Sequence, residues 1–132
     1  MAKPILIVGG GPAGLAAAHS LATFGQSCIL VEKEDELGGA PILEGYAKLV
    51  PSGEWAKDAI GGMVERAAGH ELVDVKTGTS VTSFSGEAGD FTAGLSNGES
   101  VEVSSAILCT GFTHFDSANK PEWGFGTYPD VV

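Results

Sequence analysis

Positive charge is scarce in this chain: seven Lys and Arg stand against seventeen Asp and Glu, a net charge of −10 at neutral pH. Such a surface repels nucleic acid and anionic membrane, and it suits solubility or docking to a positively charged partner. Cysteine is nearly absent. Cys28 and Cys109 are the only two, with no Cys-x-x-Cys spacing, which excludes a redox dithiol and a thiolate set for zinc or an iron–sulfur cluster. No metal site is expected. The longest apolar runs are about five or six residues, too short to span a bilayer. The start carries no basic region followed by a long apolar stretch, so no secretory signal is read and a cytoplasmic location is expected.

At 132 residues the chain has room for one domain and one core, and no second nucleotide fold. Glycine, by contrast, is abundant, with 20 residues. Three of them fall where they carry chemistry. Pro4 to Val8 is an apolar strand that runs into Gly9-Gly10-Gly11-Pro12-Ala13-Gly14, a G-x-G-x-x-G loop opening an Ala-rich helix. Gly9 permits the tight strand-to-helix turn, Gly11 lets a pyrophosphate approach the backbone, and Gly14 allows the helix to pack closely on the sheet. Unpaired N–H groups and the positive end of the helix dipole then face the phosphates. Pro12 suits a first turn that needs no N–H.

So many glycines produce chance matches, and the context is what gives the loop its meaning. A helix from Pro12 to Phe24 ends at Gly25, followed by the strand Cys28-Ile-Leu-Val-Glu32. Glu32 lies 18 positions beyond Gly14, close to the spacing of about 20 at which a carboxylate accepts hydrogen bonds from an adenosine ribose. Strand, loop, helix, strand and acid in register point to an adenine dinucleotide. The bland alternative for Glu32 is a solvated acidic loop with Glu34, Asp35 and Glu36.

Gly38 and Gly39 close that loop and read either as a plain turn or as a second close approach to a bulky cofactor. Residues 42–51 show no period. Helical spacing of Trp55, Ala59, Ile60, Met63, Val64 and Ala67 predicts a helix over 52–68, with Trp55 and Met63 in the core. Gly61 and Gly62 inside it suggest a kink or a close contact, since each costs about 1 kcal/mol relative to Ala. Strands are predicted at 72–76, 80–84, 90–95, 100–103 and 106–109, with Asn97-Gly98 as a type I′ hairpin turn. If the strands holding Cys28 and Cys109 flank the first strand, the two sulfurs sit roughly 9 to 10 Å apart. That exceeds the limit of about 7 Å between Cα atoms for a disulfide. The histidines read as surface residues, His19 on the first helix, His70 past the second and His114 in an exposed loop; the alternative for His114, just past the last strand, is a reach to the ring or adenine edge of a bound cofactor.

Val8-Gly-Gly-Gly-Pro-Ala-Gly14, Leu30-Val-Glu-Lys33 leading to Leu37-Gly-Gly39, and Ile107-Leu-Cys-Thr-Gly111 together resemble the glutathione reductase type of pyridine nucleotide-disulfide oxidoreductase. Within it the likeness is nearest to the flavin subunit of heterodisulfide reductase and the related quinone-interacting oxidoreductase subunit, through Phe115-Asp116 and Lys120 to Pro129. The resemblance implies an α/β, Rossmann-like FAD-binding domain over 1–132, with a central parallel sheet and a three-stranded β-meander. It implies FAD as cofactor, with Gly9, Gly11 and Gly14 at the pyrophosphate, Glu32 at the adenosine ribose, Gly38 and Gly39 at the ribityl or isoalloxazine side, Thr110 and Gly111 on the far side of the diphosphate, and Pro12, Ala13, Lys33, Ala40 and Cys109 beside them as further cofactor-binding residues.

The chain departs from that pattern in several places. Position 109 is Cys where the flavin motif has Ala. Ala40 to Tyr46 replaces the redox cysteine pair of disulfide reductases, and neither cluster-binding cysteines nor a nicotinamide insertion is present. The sequence stops at Val132, before the Gly-Asp motif of that family, so a truncated fragment or a site completed by something else is expected. No side chain stands out as an acid–base catalyst. The leading expectation is a flavin-binding unit of an electron-transfer oxidoreductase, working with a redox partner protein or as a homo-oligomer. The alternative is a module that holds FAD, NAD or ADP without turnover, or a fragment that needs a partner to complete its site.

Overall fold

The computed structural model describes residues 2–131. In chain order the elements are β1 (Ile5–Val8), α1 (Pro12–Thr23), β2 (Cys28–Val31), α2 (Ala40–Leu43), α3 (Ala56–Ala68), β3 (Val73–Lys76), β4 (Val81–Glu87), β5 (Asp90–Leu95), β6 (Ser100–Val103) and β7 (Ser105–Leu108). Four strands form a parallel sheet in the order β3-β2-β1-β7, and β4-β5-β6 form the antiparallel meander.

The apolar runs of β1 and β2 are continuous because both faces of the parallel sheet are covered. Ile7, Cys28 and Leu30 point to the helix side, where they pack with Leu15 and Ala18 of α1 and Ile60 and Ala67 of α3. Leu6, Ile29 and Val31 point the other way, onto Ala93, Leu95 and Val103 of the meander. Complete burial of each such Leu or Ile is worth about 1.5–3 kcal/mol. Lysines join the two sheets at the surface. Lys3 bonds Asp90 and Glu102, while Lys76 reaches Glu99 at 2.9 Å and Asp74 at 3.4 Å. The Glu99 hydrogen bond is the main reason that the Lys76 ammonium is held above its ordinary range.

Helix α1 ends as its glycine predicts. Gly25, at φ +81°, donates to Ala22 O, and Gln26 donates to Leu21 O, both at 2.9 Å, the paired bonds of a Schellman motif. Other expectations are corrected. Helix α3 starts at Ala56 rather than Ser52, and Trp55, at its N-cap, is 58% exposed, with Lys48 Nζ 5.0 Å over its ring. The helix runs unbroken through Gly61 and Gly62, with open space beside Gly61. The Asn97-Gly98 turn is not type I′, because Asn97 has no positive φ. Instead Gly98 N–H bonds Leu95 O and left-handed Gly98 follows as the bulge residue. His19 and His70 are half-buried rather than free on the surface, and His70 Nδ1 accepts the Leu72 N–H at 3.2 Å.

Candidate functional site

The carboxyl ends of β1, β2 and β7 open onto a cleft of about 970 Å³, the position at which open α/β sheets bind ligands. Its floor is set by register. Ile5 pairs with Cys28 on one side and with Ser105 on the other, so Val8, Val31 and Leu108 finish level. The Gly9 N–H bonds Val31 O, and the Cys109 N–H bonds Val8 O, both at 2.8 Å. The glycine loop therefore leaves the sheet between Glu32 and Cys109.

Two of its glycines are required by the protein itself. A Cβ on Gly9, at φ +110°, would lie 2.1 Å from Cys109 O, and one on Gly14 would lie 1.8 Å from Gly9 O. Gly11 is different. A Cβ there would meet only Gly39 Cα, at an ordinary 3.6 Å. Nothing in the fold itself demands glycine at 11.

No side chain caps α1. The first bond into the helix runs from Leu15 N–H to Gly11 O at 2.9 Å, and the N–H groups of Gly11, Ala13 and Gly14 have no acceptor among the described residues. Uncapped donors at a helix N-terminus form a ready anion site. Glu32 is 6% exposed. Its Oε2 accepts the Gly10 N–H at 2.6 Å and its Oε1 the Glu34 N–H at 3.1 Å. The carboxylate thus braces the glycine loop from the end of β2. Each oxygen keeps further acceptor capacity.

Eleven of the residues singled out from sequence line this cleft: Gly9, Gly11, Pro12, Ala13, Glu32, Lys33, Gly39, Ala40, Cys109, Thr110 and Gly111. Gly14 and Gly38 do not. Gly14 is packed against the β1–α1 turn, and Gly38, which donates to Gly10 O at 2.8 Å, is buried against Ile42. Gly39 brings the second glycine pair directly over the first loop, since a Cβ on it would sit 2.7 Å from Gly11 Cα.

Sequence reasoning missed much of the rim. Tyr46, Phe112 and Thr113 line the cleft from segments that carry no periodicity, and Thr79 and Val81 line it where β4 begins. His114 lines it as well and is exposed, as expected, but it bonds Tyr46. Lys33 is the one Lys or Arg in the lining. No group of three or more His, Cys, Asp or Glu among the described residues is arranged to hold a metal.

Cys28 and Cys109 are both free. They lie two strands apart, and also at opposite ends of those strands, because Cys28 starts β2 whereas Cys109 follows β7. Burial pushes the Cys28 thiol pKa up.

The family described as FAD dependent oxidoreductase matches residues 4–95. One subunit of the ferredoxin:CoB-CoM heterodisulfide reductase of Methanosarcina acetivorans is 36% identical over 97 residues, which cover 72% of this chain and 12% of that protein. The chain therefore spans about an eighth of that relative's length. Among solved structures, L-proline dehydrogenase from P. horikoshii superposes with a TM-score of 0.72 at 23% identity, covering 83% of this chain and 22% of its own. Thioredoxin reductase from T. acidophilum gives 0.70 at 24% identity, over 86% and 37%. At these identities the two structures speak to the fold alone. No helix among the described residues is long and apolar enough to cross a membrane.

Proposed function

The chain belongs to the FAD-dependent oxidoreductase family, and from that premise we propose that the cleft above β1, β2 and β7 holds its FAD and forms one flavin station of an electron-transfer assembly. The observation that carries the reading is Gly11. It lies at an uncapped helix start, in a cleft, where a Cβ would make only ordinary contact with the protein. The chain's residues suit the group. The N–H groups of Gly11 and Ala13 serve the diphosphate, Glu32 accepts from the adenosine ribose, and Gly39, Ala40, Thr110 and Gly111 border the remainder. When bound, FAD supplies the redox chemistry; the protein supplies orientation and surroundings.

The similarity to a heterodisulfide reductase component supports a place in a multi-subunit electron-transfer enzyme, with a protein partner delivering or removing electrons. The charge of −10 favours a basic partner surface over nucleic acid. A second reading, a dinucleotide-holding module without turnover, draws on the lining, where His114 is the only imidazole and no thiol pair is present.

The test is to supply FAD, NAD and ADP to the purified chain, remove excess, precipitate with acid and identify the released ligand by mass spectrometry. Flavin in the supernatant supports the FAD site. Retention of NAD or ADP without flavin overturns it.

A further inference from the structure

We propose that Tyr46 and His114 form a clasp across the mouth of the cleft that slows release of the bound dinucleotide; the inference rests on the FAD reading above. Tyr46 belongs to the loop after α2 and His114 to the loop after β7, and both line the cleft. Tyr46 Oη and His114 Nε2 are 3.1 Å apart across 68 positions of sequence. The rings meet edge-on, at 87° with centroids 6.0 Å apart. Phe112 backs the imidazole at 4.9 Å from within the same loop.

Little else fastens that loop. The Cys109 N–H is bonded to Val8 O, but among the described residues no backbone N–H of residues 110–115 finds a protein acceptor. Among the described residues, the Tyr46–His114 bond is the hydrogen bond that joins this stretch to the rest of the protein. Both arms also leave their elements through left-handed glycines, Gly45 at φ +64° and Gly111 at φ +69°, with no atom within 4 Å of the place a Cβ would take. The two arms differ in anchorage: the Tyr46 N–H bonds Pro41 O and the Ala56 N–H bonds Ala47 O, both at 3.0 Å, so Tyr46 stands on a fixed wall and the His114 loop is the loosely held arm. A single polar link between an anchored wall and a loop that leaves β7 through an unpacked glycine acts as a latch: intact, it holds the loop to the wall; broken, it lets the loop swing away. The link survives in either protonation state of the ring, because neutral imidazole accepts the phenol O–H and imidazolium donates to the phenol oxygen.

The experiment is stopped-flow release of FAD from the full 132-residue chain, read by flavin fluorescence, with circular dichroism to verify the fold of each variant. Tyr46→Phe keeps the ring and removes the hydroxyl, and it should release FAD about three- to tenfold faster, the range that one net hydrogen bond supports. His114→Ala should be at least as fast, His114→Gln should recover part of the retention, and the double variant should be no faster than His114→Ala alone. Release from Tyr46→Phe at the wild-type rate, or single effects that simply multiply, overturns the clasp and leaves the FAD site standing. A wild-type chain that retains no FAD overturns both.

Discussion

Glu32 and Gly10 are bound side chain to backbone at 2.6 Å, so the acid at the end of β2 stabilises the glycine loop before any ligand arrives. Glu32→Ala leaves a buried N–H without its acceptor and should cost the ligand-free protein about 1–3 kcal/mol in urea unfolding. Glu32→Gln keeps an acceptor oxygen and should retain most of that stability. Titration calorimetry with FAD should still show weaker binding for both variants, by about 1.5–3 kcal/mol for Glu32→Ala, as charge-assisted bonds to the ribose are lost. Wild-type stability in Glu32→Ala would remove the brace from the account.

The glycines of the loop should separate into two kinds. Gly11→Ala meets only ordinary contact with Gly39, so the fold should survive while FAD affinity falls. Gly11→Val should abolish binding. Gly9→Ala places a methyl against Cys109 O in a backbone conformation that alanine avoids, and it should lower the melting temperature with or without ligand. Thermal denaturation with and without FAD distinguishes the two. Full FAD affinity in Gly11→Val would contradict the site.

Thiol titration of denatured, unreduced protein should count two free cysteines per chain. In the native state Cys109, at the cleft, should react first, and FAD should protect it. Cys28 should lag, because burial disfavours its thiolate. With its folded pKa raised above the unfolded value, Cys28 contributes stability that is full below the unfolded pKa and is lost as pH rises through the folded one. Unfolding followed from neutral to alkaline pH checks this, with Cys28→Ser as the control.

Reconstituted with FAD, the chain alone should not oxidise NADH or NADPH with a dye acceptor, since the sequence offers one glycine-rich nucleotide loop. Its flavin should be reducible chemically or with added partner protein. Efficient turnover by a 13.4 kDa monomer would overturn the assembly reading.

The first 32 residues were legible because their signals are local: an apolar strand, a loop whose glycines answer to sterics, a helix with a glycine stop, and a second strand ending in an acid. Ile107 to Gly111 was legible for the same reason, as a strand that runs into a loop. Residues 42–55 were not. That segment takes in only the end of the four-residue α2 and then an isolated Lys48–Trp55 bridge, neither of which repeats long enough to show a period. Trp55 misled because its spacing matched the apolar face of α3, although it stands one residue before the helix and faces solvent. The clasp partners were hidden more deeply, since nothing local joins Tyr46 to a histidine 68 positions later.

The pairing of β1 with β7 sets a condition on assembly. Ile5 meets Ser105, so one wall of the cleft is contributed by residues 100 positions away from the strand that supplies its floor. The glycine loop, α1 and Glu32 all lie within the first third of the chain, yet the cavity exists only once β7 has docked at the sheet edge. A ligand that requires both walls binds the docked form alone, and by mass action it opposes detachment of that edge strand. On the proposed site, flavin occupancy and closure of the sheet form one linked equilibrium: loosening β7 should weaken binding without touching a single contact residue, and bound cofactor should protect β7 amides from exchange.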